Sequence, residues 1–303
     1  MEILTMANNR VFYASHGVDV GGTTVQGAQS VGITTNFNLE QAFQLGQLAL
    51  YDNISLDPEV EITVSKVLDG ESTIWKLATG GGSLIENAND DTTIKVGVGD
   101  DTAASLTNVS AITCSGMFVS SVSYTFPVDG NLTEEITFVG NSKAITGTVS
   151  APATTDKTVL RRQNVDIPNC TIPTEVSGKN ITSISISADL GRESMYKLGS
   201  LKPFHRFVNF PLEVTCEFEV SATGLDGVAV DIPDTACSGL AANDREIIVK
   251  ICDADGLAYT FDLGDKCKLT SVNYSGGDTG GGNATITYSY STYNELTITD
   301  APA

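Results

Sequence analysis

The chain has 303 residues, 29 of them glycine, with 18% charged residues and a formal charge of −20 from 37 carboxylates against 17 lysines and arginines. Such a balance opposes nonspecific adhesion to nucleic acid, because phosphate binding is driven by Lys and Arg releasing counterions. There is no run of 18 apolar residues to cross a membrane as a helix, so no membrane partner is expected. Many Thr, Ser and Val residues between glycine-marked turns are the composition of β-sheet.

In chain order, Gly17-Val18-Asp19-Val20 leads into a Gly21-Gly22 turn, and residues 26–37 form the first clear strand. Residues 39–50 place apolar side chains at 39, 42, 43, 45, 48, 49 and 50, a broken helical period that allows one or two helical turns or an ordered excursion. Residues 59–67 alternate Val60, Ile62 and Val64 with Glu61, Thr63 and Ser65, a strand with one wet face. The glycine-rich 79–83 reads as a flexible loop, and 94–98 as a strand. Residues 118–124 and 132–139 form a strand pair, and the small, polar, Pro-marked 146–156 reads as a linker between two domains. Beyond it, Pro203 and Pro211 exclude a long helix in 192–211. Residues 213–220 and 246–252 are strands, and Asp253-Ala254-Asp255-Gly256 signals a hairpin. Residues 269–274 and 284–290 pair around an expanded glycine loop at 276–282.

The second half echoes the first. Glu40, Phe43 and Leu45-Gly46 align with Glu193, Tyr196 and Leu198-Gly199 at an offset of 153 residues, which persists through Tyr51/Phe204 and Pro58/Pro211. It then slips by one so that Glu59-Val60 meets Glu213-Val214. Ser121-Val122-Ser123-Tyr124 matches Ser271-Val272-Asn273-Tyr274 at 150, and Gly130-Asn131 matches Gly282-Asn283 at 152. The expectation is one domain written twice, at 1–150 and 157–303, each half large enough to bury its own core.

Catalytic chemistry is hard to find. Two histidines, His16 and His205, serve the whole chain, and there is no Gly-X-Ser-X-Gly, no Walker glycine loop and no His-Glu-X-X-His. The acidic turns at 253–256 and 99–101 offer oxygens to calcium but lack the spacing of an EF-hand, so a plain turn is the better reading. Six cysteines without C-x₂-C spacing read as free thiols in a reducing cytoplasm. Residues 1–6 lack the basic and apolar regions of a secretory signal, and Met6 is an alternative natural start to Met1. The expectation is no enzyme, no catalytic residue, no cofactor and no metal.

Two segments, 39–54 and 192–210, gather aromatic, leucine and arginine side chains of the kind enriched in subunit contacts. The candidates for contacts between subunits are Leu39, Phe43, Leu45, Tyr51, Arg192, Tyr196, Leu198, Phe204, Arg206, Phe207 and Phe210.

The residues Ser183-Ile184-Ser185-Ile186-Ser187, Arg192 to Gly199, Asn209 to Glu219 and Ser121 to Phe138 resemble the major tail tube proteins of tailed bacteriophages. The resemblance covers most of both halves and implies a mainly β fold: two tandem β-sandwich or partly closed barrel domains, each with a small helix and a long intersubunit loop. It further implies an inner sheet that joins those of its neighbours into a β-lined ring around a lumen, with rings stacking into a tube for genome delivery. Rings of six domains would need a homotrimer of a duplicated chain, with a hexamer as the alternative. A trimer would carry a formal −60, three times −20. Partners implied are the chain itself, a sheath if the tail contracts, the terminator, the baseplate and the tape measure, with genomic DNA passing unbound. The location implied is the virion tail, assembled in the bacterial cytoplasm. The alternatives are a tail terminator or baseplate ring of related fold, and an adhesive or carbohydrate-binding β-sandwich.

Overall fold

A computed structural model describes residues 16–98, 109–150, 152, 157–222, 244–276 and 284–300. The first half holds β1 (His16–Val20), β2 (Thr23–Thr24), β3 (Ala28–Phe43), β4 (Leu50–Val67), α1 (Ile74–Thr79), α2 (Leu84–Asn87), β5 (Asp91–Val98), β6 (Val109–Pro127), β7 (Thr133–Gly140) and β8 (Ala144–Val149). The second holds β9 (Ile181–Asp189), β10 (Arg192–Met195), β11 (His205–Val208), β12 (Glu213–Ser221), β13 (Ile248–Cys252), β14 (Leu257–Asp262), β15 (Lys268–Ser275), β16 (Thr285–Tyr293) and β17 (Thr297–Asp300). At 60% strand and 7% helix the protein is mainly β, and its antiparallel sheets are open, with no closed barrel among the described residues.

Eight strands pair antiparallel in the order β3-β4-β7-β6-β9-β12-β16-β15. Their period-two alternation puts Val60, Ile62, Val64, Val122, Tyr124, Phe126, Ile136, Phe138, Ile184, Ile186, Cys216, Phe218, Tyr288 and Tyr290 on one buried face. A second layer covers that face, built from β1, β5, the first part of β6 and β8 in one half and from β13, β14 and β17 in the other. The core runs through both halves without a break. Phe261 of β14 packs on Tyr124 and Phe126 of β6, with ring centroids 4.7 and 5.2 Å apart.

β6 serves both layers. Its first part pairs with β5 and β8 and its second with β7 and β9, and the change falls beside Gly116, whose φ of +63° a side chain would resist.

The same ladders occur twice. Moving β3 by 153 residues, β4 by 154, β7 by 152 and β6 by 150 carries Ile33↔Ile62 onto Ile186↔Cys216, Ile62↔Phe138 onto Cys216↔Tyr290, and Val122↔Ile136 onto Val272↔Tyr288. In the covering layer Val96↔Ile112 falls on Val249↔Phe261, and Ile112↔Ile145 on Phe261↔Ile298.

Two sequence expectations are corrected, and one that left two readings open is decided. Residues 39–50 are not helical: the strands on either side continue to Phe43 and from Leu50, because a ladder already in register extends more cheaply than a short helix nucleates. Residues 146–149, assigned to the linker, belong to β8, while 151 and 153–156 lie outside the described residues. The glycine-rich 79–83 is packed, not loose. Gly80 ends α1, Ser83 caps α2, and a Cβ on Gly82 would sit 2.0 Å from the Ile298 carbonyl oxygen of β17. The Asp-Gly hairpin forms as expected, with Asp253 Oδ1 accepting from the amides of Asp255 at 2.8 Å and Gly256 at 3.0 Å. The glycine loop at 277–282, the acidic turn at 99–101, Cys237 and residues 1–6 lie outside the described residues, as do 223–243, where a second copy of α1 would fall.

Candidate assembly surfaces

Directly opposed residues on an antiparallel ladder share a face, so the pairings fix what the eight-stranded sheet turns away from its core. These include Glu61, Thr63 and Ser65 on β4, Glu135, Thr137 and the buried Val139 on β7, and Ser121, Ser123 and Thr125 on β6. Ser183, Ser185, Ser187 and Asp189 on β9 follow, then Thr215, Glu217 and Glu219 on β12, and Thr287, Ser289 and Ser291 on β16. At the two edges stand Ser271, Asn273 and Ser275 on β15, and Gly32, Thr34 and Asn36 on β3. None of these is Lys or Arg. Lys268, at the rim of β15, is paired with Asp244 at 2.5 Å. Neighbouring side chains bond within the face, Thr63 to Thr137 at 3.3 Å and the Ser289 hydroxyl to Glu217 at 3.1 Å. The result is a wide hydroxyl and carboxylate surface.

A β-hairpin arm projects from the sheet. β3 and β4 stay paired from Asn36↔Glu59 out to Phe43↔Leu50, beyond the last rung of β4 on β7 at Val60, which carries the arm about 20 Å past the sheet at roughly 3.3 Å per residue. Phe37, Leu39, Phe43, Leu45, Leu48, Leu50, Tyr51, Ile54 and Leu56 are all exposed on it, Leu45 and Leu48 completely, at 102% and 104%. Residues 28–65 contain no Lys or Arg. Single exposed apolar residues are ordinary, but so many on one hairpin make it a candidate contact surface.

In the second half the matching strands stop at Asp189 and resume at Glu213, and the chain between them forms the separate hairpin β10–β11. Met195, Tyr196, Leu198, Leu201, Phe204, Phe207 and Phe210 are exposed there. This hairpin leans on the foot of the arm: the Tyr196 hydroxyl donates to Asp57 at 3.0 Å. Nine of the eleven contact candidates are therefore exposed on these two hairpins, and the arginines depart from the expectation. Arg206 is 6% exposed and braces the arm, donating from Nε and Nη2 to Asn141 Oδ1 at 3.1 Å while its Nη2 pairs with Glu59 at 3.1 Å. Arg192 donates to the carbonyls of Val119 and Ala88, both at 2.6 Å, and lies over the Phe118 ring. Burial, with Arg206 adding to it, pushes its pKa down to about 10. Both guanidiniums are engaged inside the chain, holding a hairpin that has no sheet neighbour, although Arg192 Nη1 is buried without a hydrogen-bond partner.

The sheet has two unpaired edges. Among the described residues β3 pairs only with β4, and β15 only with β16. The described cysteines, Cys114, Cys170, Cys216, Cys252 and Cys267, are free, and burial raises the pKa of each, that of Cys267 to about 12. Such thiols are poor nucleophiles and fill space.

No family model matches the sequence, and comparison with curated proteins gives no match. Sequence reasoning left Phe37 outside the 39–54 segment and did not single out Leu48 and Ile54 within it, although the absence of Lys and Arg from 28–65 was there to be read. The polar face was also legible as the Ser-Ile-Ser-Ile-Ser alternation of β9.

Proposed function

We propose that the chain is a tube-forming structural protein of a bacteriophage tail, whose copies join side by side into a ring and whose rings stack into a conduit for DNA. The observation that carries the reading is the two-faced sheet. One face is sealed by the covering layer, while the other is broad, hydroxylated and acidic, with no Lys or Arg among its central residues. Turned inward, such a surface gives passing phosphates nothing to release counterions against. Its carboxylates act only within about 8 Å at physiological salt, so they prevent sticking and do not propel the DNA.

The repeated ladders favour a tandem duplication with copies at 1–150 and 157–303. Three chains of eight strands would then line the bore with 24 strands in six equivalent units. The arm and the β10–β11 hairpin, one from each copy, supply the contacts to neighbouring chains and to the ring above or below. Negative-stain electron microscopy of the purified protein tests the reading. Hollow filaments of stacked rings are expected. Single rings that never stack would point to a terminator or baseplate ring, and a monodisperse monomer at all concentrations would overturn the proposal.

A further inference from the structure

The molecule contains its own template for the joint between copies. β6, the last strand of the first meander, pairs antiparallel with β9, the first strand of the second, through Val122↔Ala188, Ser123↔Ser187, Tyr124↔Ile186 and Thr125↔Ser185. The shifts that superpose the two meanders place β15 where β6 stands and β3 where β9 stands. Those are the two edge strands.

Their side chains look unfinished by comparison. At the internal seam Tyr124 and Ile186 are fully buried, both at 0%. The equivalents at the outer edges are Tyr274, which is 56% exposed, and Ile33, which is half-buried. Over the segments equivalent to the seam, 32–35 of β3 and 272–275 of β15, neither edge strand carries the usual protection against pairing, since their bulges lie outside these segments, at 28–30, 37–39 and 42–43 and at 269–271. β3 has no Pro, Lys or Arg, and β15 has a single lysine, at its first residue. The two edges are unlike each other, so joining one to the other is a head-to-tail contact, which closes into a ring when the rotation permits.

We infer that β15 of one copy pairs antiparallel with β3 of the next in the register of the internal seam, with Val272 opposite Thr35, Asn273 opposite Thr34, Tyr274 opposite Ile33 and Ser275 opposite Gly32. This rests on the ring-forming reading and adds to it the edges and the register. Tyr274 and Ile33 then close over the core as Tyr124 and Ile186 do, and Asn273 and Thr34 continue the polar face across the joint.

The test is a cysteine scan with two singly substituted proteins mixed before assembly. Asn273→Cys is combined in turn with Gly32→Cys, Thr34→Cys and Asn36→Cys, oxidised, and the dimer mapped by mass spectrometry. Directly opposed residues lie about 4.5–5.5 Å apart between Cα atoms, within disulfide reach, whereas diagonal neighbours lie at about 7–8 Å. The mixture with Thr34→Cys should give at least several-fold more 34–273 dimer than either other mixture. Rings or tubes in the same samples with the yield peaking at 32 or 36, or with no 273 cross-link, would overturn the register and leave the ring-forming reading standing. No assembly by microscopy together with no cross-link would overturn both.

Discussion

Lys66 and Glu134 face each other across the β4–β7 ladder, at the rung where the second half of the chain pairs Val220 with Ile286. Both are fully buried. Glu134 accepts from the amides of Ile74 at 2.7 Å and Trp75 at 3.1 Å and from the Tyr124 hydroxyl at 2.8 Å, so a carboxylate from β7 satisfies the opening amides of α1. The Lys66 ammonium is met by Asp69 at 3.3 Å and the Ser72 carbonyl at 2.8 Å. One meander thus has a charged rung that seats a helix, where its counterpart is hydrocarbon.

Removing Glu134 leaves two amides and a phenol without their acceptor in the core, while Lys66 keeps Asp69 and the Ser72 carbonyl. Glu134→Ala should cost about 3–5 kcal/mol, since two amides and a phenol are left unsatisfied at about 1–3 kcal/mol each. Lys66→Val with Glu134→Ile installs the rung of the second half and should recover part of that loss, the remainder reflecting unsatisfied α1 amides at about 1–3 kcal/mol. Chemical denaturation of the three proteins measures both steps. A single variant within 1 kcal/mol of the parent would remove the network from the list of what holds the fold.

Two carboxylates give opposite pH dependences. Burial holds the Glu134 pKa above its ordinary value despite Lys66 and the donated amides, so the folded state holds this proton more tightly than the unfolded one. Its contribution is therefore largest below the unfolded pKa and is lost as pH rises through the folded one. Glu175 is the reverse: hydrogen bonds from Arg245 hold its pKa below the usual range, so its contribution is present above the unfolded pKa and is lost as pH falls through the folded one. Denaturation midpoints of parent and Glu175→Gln should converge as pH drops below about 4. A gap that is constant from pH 7 to pH 3 would contradict the assignment.

Gly82 lies where the first half is keyed into the second. Its carbonyl accepts from the Ile298 amide at 2.9 Å, and Ser83 bridges to Thr297. With the Ile298 carbonyl oxygen 2.0 Å from where a Cβ would stand, Gly82→Ala has to push β17 away. The expected cost is about 1–3 kcal/mol, the range for overpacking a tight site, read as a fall in thermal midpoint. An unchanged midpoint would mean that the two halves slide freely here.

The proposed role of the hairpin surfaces predicts that folding and assembly can be separated. Leu45 and Leu48 touch nothing within the chain, so replacing both by Ser should leave the thermal midpoint within the scatter expected of surface changes, about 0.5 kcal/mol. Filament formation should nevertheless be lost. Tyr196→Ala with Phe204→Ala should likewise yield a folded, soluble protomer that no longer polymerises. Unfolding of the second pair would show instead that β10–β11 holds the arm through Tyr196 and Asp57.

Alternation made most strands legible in the sequence, and the echo between halves showed up as offsets that reappear as ladder registers. The arm did not, because its apolar residues sit on both sides of a hairpin that buries neither face in this chain, so the pattern has neither period two nor a clean helical period. The intrachain partners of Arg192 and Arg206 were hidden for a related reason. Residue type said contact surface, but which surface depends on Asn141, Val119 and Ala88, distant in sequence and adjacent only once the sheet has formed. The charged rung at Lys66 and Glu134 was equally hidden, since a strand carrying Lys or Glu at a core position reads as a break in the pattern.

The polar face carries the most direct functional prediction. Glu61, Glu135, Glu217 and Glu219 project from β4, β7 and β12 on one surface, and changing all four to Lys moves the formal charge of the chain from −20 to −12, a change of eight units placed there. Such a surface gains phosphate contacts, so the variant should retain double-stranded DNA at low salt and release it steeply as salt rises, with log affinity falling in proportion to the contacts made. The parent protein should retain none. In assembled particles the same substitutions should slow genome ejection while tube length and diameter stay unchanged under the microscope. Ejection at the parental rate from intact tubes would mean that this face is not the one DNA passes.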